Sequence, residues 1–433
     1  MSVGIQEQNF GVEYEFTGIT REQAIKVIST YFTSSHYNEG GYYDKYVTKD
    51  SHNRTWTVMS DASIKKLNTL GRGTNDKRYS CELVTPVCQY RDIETIQQIV
   101  RELKKAGARV NDSCGIHIHI DGANHDAKSI RNLSLIIASK EAPMRTALEI
   151  KPSRAAYCQT SRTSYIEWLD DAKNPTLEQI KEKYYNGNQE YETQQHYSHY
   201  RYHMLNLHSF FGGYHGAHHT VEFRCFNSTQ HAGKMKAYIQ FCLAVSAQAI
   251  KQKDAHFKPM ERRNDAYVFR TWLNRAGLIG PEYKTCRTHM LANLEGDLVY
   301  RDRNDVRHRS VRCAEELNAR IQAATAQQSN PNEVSLAELP TATTTQQEQP
   351  DVPNFSISEQ VDAFIHGMQL DNNLTVADRA QIIEILSRGL NGRQQAEVQR
   401  TFTESDPERQ IQQAQQRAEQ RSRRRRSAEG GGE

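Results

Sequence analysis

Residues 113–124, SCGIHIHIDGAN, place two histidines one residue apart among isoleucines. His117 and His119 alternate with the isoleucines, and a period of two is typical of a half-buried β-strand. Because successive side chains of a strand point to opposite faces, both imidazoles lie on one face and the isoleucines on the other. The stretch therefore predicts a strand with one face towards an apolar core and the other towards a polar site.

The same alternation recurs in three further segments, and each carries charged residues. GVEYEF places Glu13 and Glu15 on one face, TVEFRCF does the same for Glu222 and Arg224, and SCELVTPV adds Glu82. Any one of these patterns alone is typical of a solvated strand face or of a surface ion pair, which contributes little to stability. Their joint occurrence favours strands that converge on one acidic surface.

Carboxylates gathered on one sheet face repel one another unless cations compensate their charge. Mg²⁺ and Mn²⁺ prefer oxygen ligands and keep open positions for phosphate oxygens, whereas a zinc site favours more nitrogen and sulfur. Arg224 offers a planar, permanently charged fork that suits phosphate. The residues thus predict a divalent-cation site that handles phosphate groups.

The fold predicted from these patterns is α+β. Polar alternation in the strands argues against a fully buried parallel sheet and favours an antiparallel sheet with helices on one face. Amphipathic patterns and capping signals predict helices at residues 20–32, 91–108, 129–150 and 234–251.

Composition narrows the class of protein. The 433 residues hold 55 Lys and Arg against 52 Asp and Glu, a net charge of +3 that is too balanced to favour nucleic-acid binding by the whole molecule. The eight cysteines form no C-x-x-C pair, and neither a signal peptide nor an apolar run of bilayer length is present. These features predict free thiols, a cytoplasmic location and no membrane partner.

A change of composition divides the chain. Residues 1–325 are predicted to form the catalytic domain with a helical extension, and residues 326–356, rich in Gln, Thr and Pro, a flexible linker. Residues 357–402 carry helical periodicity and predict a small helical module. Residues 403–433 are low in complexity, rich in Arg, and predicted to be disordered.

Six ordered motifs, FGVEYEF, TVMSDASI, CELVTPV, CGIHIHID, RYHMLNL and VEFRCFNST, resemble the amidoligases of the glutamine-synthetase-like carboxylate–amine ligase superfamily. The resemblance covers residues 10–251. It implies a curved antiparallel sheet that cradles ATP and two or three Mg²⁺ (or Mn²⁺) ions. It also implies a reaction in which ATP phosphorylates a carboxylate and an amine then attacks the acyl phosphate to form an amide.

The resemblance also implies roles for individual residues. His119 would face the ATP phosphates or the acyl oxygen, and Arg224 would hold the transferring phosphoryl group. Asp61 would act in catalysis, and Arg201 and Asn206 would contact the nucleotide. The metal ligands would be Glu13, Glu15, Glu82, His117 and Glu222. This sequence departs from the pattern of the superfamily at one strand. Glutamine synthetases carry two spaced glutamates there, whereas this strand carries only Glu82.

The end of the sequence, RRRRSAEGGGE, has a resemblance of its own. It resembles the C-terminus of the prokaryotic ubiquitin-like modifier, whose final glutamate is joined to a lysine by a related ligase. This implies that Glu433 is a modification site and that the tail is conjugated to lysines of the protein itself or of a partner. The alternative is that a disordered tail ends in this sequence by chance.

Two other functions compete with the ligase. A metal-dependent hydrolase would use the same acidic face to activate water without ATP, and a non-catalytic adaptor would bind nucleic acid through the arginines of the tail. The histidine-rich residues 196–220 predict a substrate-contacting rim, with a second metal site as the alternative.

Overall fold

An open sheet of eight strands, all antiparallel, organises the described part of the chain. The computed structural model describes residues 3–214, 218–260 and 264–298, with the single positions 312, 315, 318 and 319. The strands are β1 Phe10–Phe16, β2 His36–Gly40, β3 Lys45–Lys49, β4 Thr55–Met59, β5 Cys81–Val84, β6 Gly115–Asp121, β7 Leu205–Asn206 and β8 Thr220–Asn227. Their order is β2-β3-β4-β5-β1-β6-β8-β7. The predicted linker, helical module and tail lie outside the described residues.

Eleven helices accompany the sheet in the described ranges, so the predicted antiparallel α+β class is confirmed. They are α1 Arg21–Phe32, α2 Ile93–Lys105, α3 Ala127–Ala138, α4 Glu141–Ala147, α5 Thr163–Asp171, α6 Leu177–Tyr184, α7 Gln189–Glu192, α8 His208–Phe211, α9 Ala232–Lys251, α10 Asp265–Arg275 and α11 Lys284–Leu291. Short 3₁₀ helices lie at Ile5–Glu7, Lys77–Tyr79, Tyr90–Asp92, Gly122–Asn124, Pro152–Arg154 and His199–Arg201.

Local sequence signals set the ends of the first two helices. The Thr20 hydroxyl accepts a hydrogen bond from the backbone N–H of Gln23, and the Gln23 side-chain oxygen accepts one from the backbone N–H of Thr20, which is a capping box. After α2 the chain turns at Gly107, whose φ of 97° disfavours any residue with a Cβ.

The helix predicted over residues 129–150 is wrong as a single element. The structure has two helices there, α3 and α4, separated at Ser139 and Lys140. Pro143 lies in the first turn of α4, where its missing N–H is tolerated, but it could not continue α3 because its ring would clash with the preceding turn.

The apolar face of the sheet is buried under helix α9. Tyr14 of β1 and Ile118 of β6 are almost fully buried, and the ring of Phe226 in β8 stacks on Tyr238 of α9 at 4.4 Å. Burying a side chain of this size contributes roughly 1.5–3 kcal/mol. Since the helix occupies this face, the alternate residues of β1 and β6 point to the opposite face, which is called the site face below.

A β-bulge interrupts the pairing of β6 with β8. Ile118 pairs with Phe223 and Ile116 pairs with Phe226, so a two-residue step on β6 faces a three-residue step on β8. The extra residue restores Phe226 to the apolar face while Arg224 points to the site face, next to His117. Simple alternation does not predict this change of register.

Two of the sequence-based expectations concern the cysteines and membrane-spanning helices. The seven cysteines in the described ranges are all unpaired and buried. Within those ranges, no helix combines the length and the apolar character that crossing a bilayer requires.

Candidate active site

The strand register brings the polar residues of four strands side by side on the site face. Glu15 pairs with Glu82 across β1 and β5, Glu13 pairs with His117 across β1 and β6, and His119 pairs with Glu222 across β6 and β8. Asn206 of β7 pairs with Glu222 in turn. Directly opposed residues of an antiparallel pair have Cβ atoms about 4.5–5.5 Å apart, so these side chains interact.

Two groups of potential metal ligands share one histidine. The Glu13 cluster consists of Glu13, His117 and Glu222, and the Glu15 cluster consists of Glu15, Glu82 and His117. Within each cluster, one ligand atom from every member lies within 4.8 Å of the others. They are the two such groups among the described residues, and both belong to the site face.

The two ring nitrogens of His117 face different clusters. Its Nδ1 lies 2.8 Å from Glu13 Oε2, and its Nε2 lies 3.8 Å from Glu15 Oε1. An ionised carboxylate can only accept, so Nδ1 carries the proton of this hydrogen bond. In the neutral ring Nε2 is then left with a lone pair directed towards the Glu15 cluster, which is the carboxylate–histidine arrangement common at metal sites.

His119 stands in a similar relation to the Glu13 cluster. Its Nδ1 is hydrogen-bonded to Thr220 Oγ1 at 3.0 Å, and its Nε2 lies 3.2 Å from Glu13 Oε1. The angle does not make this second contact a hydrogen bond, and the buried Nε2 has no other hydrogen-bond partner among the described residues. Each cluster therefore has one imidazole nitrogen beside it.

Glu222 is held by three side chains. Asn206 donates to its Oε2 at 2.6 Å and Ser209 at 2.9 Å, while Arg224 forms a salt bridge with Oε1. Arg224 is 5% exposed, and its Nε has no hydrogen-bond partner in the described part of the chain. An unpaired, buried guanidinium donor costs free energy, so this side chain retains the capacity to bind an anion at the site face.

Electrostatics distinguishes the two clusters. Burial raises the pKa of Glu82 well above its ordinary value, and the nearby charges of Glu13, Asp61 and Glu15 raise it further. Burial also raises the pKa of Glu15. For Glu222, burial is outweighed by the Arg224 guanidinium and by His119, so its pKa falls to about 2.

For Glu13, the two histidines likewise outweigh burial and lower the pKa well below its usual range. The charges of Arg224 and His119 thus prevail over burial at Glu222, whereas in the Glu15 cluster burial prevails over the charge of Arg154 and the pKa values of Glu15 and Glu82 are raised. Carboxylate oxygens with one imidazole form a donor set that Mg²⁺ and Mn²⁺ accept. A divalent cation would remove the repulsion between Glu15 and Glu82, so the residues present fit such a group.

One prediction follows for the metal-free protein. The pKa of Glu82 in the folded state lies above its value of about 4.3 in the unfolded chain, so the folded protein binds more protons between those two values. Its contribution to the free energy of unfolding is present at low pH and is lost as the pH rises through the folded pKa. Glu82→Gln should therefore reduce the loss of stability between pH 5 and pH 8, measured by urea unfolding with EDTA.

The control for this prediction is Glu22→Gln, which changes an exposed carboxylate on α1. Glu22→Gln should leave the pH dependence as in the wild type. An unchanged pH dependence in Glu82→Gln would show that Glu82 is already ionised in the folded protein.

Arg154 is a second buried guanidinium on the site face. It is the last residue of the 3₁₀ helix Pro152–Arg154, and its Nη2 donates to the backbone oxygen of Arg224 at 3.1 Å. Its positive charge lowers the pKa of Glu15 against the effect of burial. Its guanidinium lies where the Cβ of residue 115 would stand, so glycine at that position makes room for it.

Gly115→Ala is accordingly expected to destabilise the protein by about 1–3 kcal/mol, the range for overpacking a core. The matched control is Gly11→Ala on β1, where an added Cβ would meet its nearest atoms at 4.0 Å. Urea unfolding of both variants measures the difference. Equal stabilities would mean that Arg154 does not occupy the space above Gly115.

The structure places the remaining predicted residues at different distances from the clusters. Asp61 lies in the loop after β4, and its charge raises the pKa of both Glu15 and Glu82, so it stands at their end of the site face. Arg201 lies further out, with its Cζ 5.7 Å from the ring centre of Tyr197 and 5.9 Å from that of Tyr202. No contact joins Arg201 to a cluster residue within the described ranges. Glu433 is outside the described residues.

Three residues of the site escaped the sequence-based prediction. Arg154, Ser209 and Thr220 contact cluster residues or their strands, yet none belongs to an alternating charged pair. For Thr220, the position two residues before Glu222 on the same strand was an available signal. Arg154 lies in the 3₁₀ helix Pro152–Arg154 and Ser209 in the short helix α8, and no local pattern marks either of them.

Comparison with known proteins assigns the family. Residues 6–246 match the model of a family described as "Putative amidoligase enzyme". This match spans more than half of the 433 residues, and the chain belongs to that amidoligase family. Searches of curated proteins and of solved structures returned no match.

Proposed function

We propose that the protein is an ATP-dependent carboxylate–amine ligase that forms an amide through an acyl-phosphate intermediate. The observation that carries the proposal is the pair of carboxylate clusters on one sheet face, which share His117 and adjoin the buried guanidinium of Arg224. Phosphoryl transfer requires charge neutralisation on the nucleotide phosphates, which divalent cations held by the clusters would supply together with Arg224. Membership of an amidoligase family supports a ligase in general.

The proposed reaction has two steps. A carboxylate oxygen of the substrate attacks the γ-phosphorus of ATP, and ADP leaves. The amine nitrogen then attacks the acyl carbon, inorganic phosphate leaves, and the amine loses a proton. A carboxylate is a poor electrophile, so the phosphorylation is what makes the second step feasible.

The chain's own residues have defined tasks in this scheme. Arg224 binds the transferring phosphoryl group through its free Nε, and Asn206 and Ser209 hold Glu222 in place beside it. Mg²⁺ or Mn²⁺ bound by the two clusters would neutralise the β- and γ-phosphates. His119, beside the Glu13 cluster, adds a donor for a phosphate or acyl oxygen.

In this proposal Asp61 binds the amine substrate and accepts its proton. It lies at the end of the site face where Glu15 and Glu82 stand, and its own exposure is intermediate. A carboxylate there can attract an ammonium group such as that of lysine and accept the proton that the amine loses. Consumption of ATP together with buried free thiols fits the cytoplasm.

The experiment that tests the function replaces the amine with hydroxylamine. Purified protein with MgATP, hydroxylamine and a panel of free glutamate and glutamate-ending peptides should form hydroxamates in amounts equal to the ADP released. Arg224→Ala should form both products about 10³-fold more slowly. Cleavage of amides by the metal-loaded protein without ATP, with no hydroxamate, would overturn the ligase and establish the hydrolase.

We also propose that the side chain of Glu433, which follows three glycines, is a carboxylate substrate. Glycines carry no side chains that would obstruct a narrow site. Full-length protein incubated with MgATP should produce higher-mass species with Glu433 linked to lysine, detected by mass spectrometry. Their persistence in Glu433→Gln would refute this assignment while leaving the ligase activity intact.

A further inference from the structure

Two segments far apart in the sequence meet beside the site face through a pair of tyrosines. Tyr43 belongs to the turn between β2 and β3, and Tyr197 precedes the 3₁₀ helix His199–Arg201. Their hydroxyl oxygens are 2.6 Å apart. The hydrogen bond to Tyr197 raises the pKa of Tyr43 to about 12.

The Tyr43 side of this contact is anchored. The backbone oxygen of Tyr43 accepts from the N–H of Ser60 at 2.9 Å, which ties the turn to the residue before Asp61. The next residue, Asp44, forms a salt bridge with Arg21, which is 4% exposed, and accepts from Asn38 at 3.2 Å. The turn is therefore fixed beside the acidic end of the site face.

The Tyr197 side continues towards the Glu13 cluster. The ring of His196 lies 4.4 Å from that of Tyr197 and 5.1 Å from that of Tyr214. Among the charges that act on both His196 and Tyr214 is that of Glu13. One partner is tied to the residue before Asp61, and the other follows His196, on which the charge of Glu13 acts, so the contact of Tyr43 with Tyr197 joins two segments that adjoin the acidic residues.

We propose that Tyr43 and Tyr197 form a portal that restricts the acyl substrate to a carboxylate on a thin, flexible chain end. This proposal rests on the function proposed above and adds the substrate class to it. A carboxylate on a folded surface would have to displace both tyrosines, whereas an extended peptide end passes beside them. Tyr43 and Tyr197 then determine specificity without touching the reacting atoms.

The test measures access to the acidic end without relying on activity. Metal-free protein is treated with a small water-soluble carbodiimide or a bulky morpholino-carbodiimide, each with glycine ethyl ester, and labelling of Glu13, Glu15 and Glu82 is mapped by mass spectrometry. In the wild type the small reagent should label these residues at least about tenfold faster than the bulky one. Tyr43→Ala and Tyr197→Ala should each bring the two rates within about twofold.

The matched control is Tyr42→Ala, which changes a neighbouring tyrosine that is 94% exposed and should keep the wild-type ratio. Two independent alanine variants guard against the misfolding of either one, which circular dichroism detects. Equal labelling by both reagents in the wild type, or no gain of labelling by the bulky reagent in either folded variant, would overturn the portal.

A second experiment distinguishes a failure of the portal from a failure of the proposed ligase function. The hydroxamate assay is run with a glutamate-ending peptide, free or closed into a loop on a folded carrier, and the alanine variants should gain activity only on the carrier. If no hydroxamate forms with any protein while the labelling ratios change as expected, the ligase fails and the portal stands. If hydroxamate forms equally on both substrates in the wild type, the portal fails and the ligase stands.

Discussion

Replacing His117 with alanine is expected to disrupt both carboxylate clusters at once and, in the proposed ligase, to lower MgATP-dependent turnover by at least about 100-fold. The reason is geometric, since one ring nitrogen of His117 is bonded to Glu13 and the other faces Glu15. Residues that merely orient metal ligands contribute about 10–100-fold to affinity or activity, so a residue shared by two clusters should contribute more. Thermal stabilisation by Mg²⁺ and the rate of ADP release measure the two effects.

The control for this variant is His52→Ala, which changes an exposed histidine on the turn between β3 and β4. It should retain Mg²⁺ stabilisation and turnover. Because His117 is buried, His117→Asn serves as a second variant that keeps a polar side chain at the position. Wild-type stabilisation by Mg²⁺ in both His117 variants would remove the histidine from the metal sites.

Arg224→Ala is expected to lower turnover by about 10³-fold, the lower end of the contribution made by arginines to phosphoryl transfer. Its Nε is a free donor on the site face, and no other described residue offers a guanidinium beside Glu222. Arg224→Lys keeps the charge and loses the planar fork, so it should recover only part of the activity. Mg²⁺ should still stabilise both variants, since the Glu15 cluster is intact.

Stability must be measured alongside activity for these arginine variants. Removing one partner of a buried ion pair typically costs about 3–5 kcal/mol, although Asn206 and Ser209 continue to satisfy Glu222. Arg101→Ala, which changes a partly exposed arginine on α2, is the control. Turnover at the wild-type rate by folded Arg224→Ala would show that the phosphoryl group binds elsewhere.

The sequence predicted which residues share a face, because the period of a strand is a local property. Once a segment is a strand, residues two positions apart lie on the same face. This applies to Glu13 and Glu15 and to His117 and His119. The Thr20 start of α1 was readable for the same reason, since a capping box spans only four residues. The antiparallel α+β class followed from polar alternation in the four segments that carry Glu13, Glu82, His117 and Glu222.

The register between strands is not a local property, and the sequence could not supply it. Glu15 lies opposite Glu82, and Glu13 opposite His117, because strands far apart in the chain pair with particular offsets. The bulge in β8 shifts one such offset and places Phe226 on the apolar face, although alternation alone would put it on the face of Glu222 and Arg224. Which carboxylates form which cluster therefore emerged only from the structure.

Residues of the connecting segments were hardest to predict. Arg154 reaches the site only because glycine occupies position 115 on another strand, and the two positions are related solely through the fold. The contact between Tyr43 and Tyr197 is of the same kind, since the two residues are 154 positions apart. The break between α3 and α4, by contrast, has a local signal in Pro143. The helical periodicity of residues 129–150 masks that signal.

Anomalous diffraction from crystals grown with Mn²⁺ and ADP tests the central claim directly. One peak is expected between Glu13 and Glu222, and a second between Glu15 and Glu82, with His117 within bonding distance of at least one of them. Crystals that contain the nucleotide but show no Mn²⁺ at either position would contradict the account.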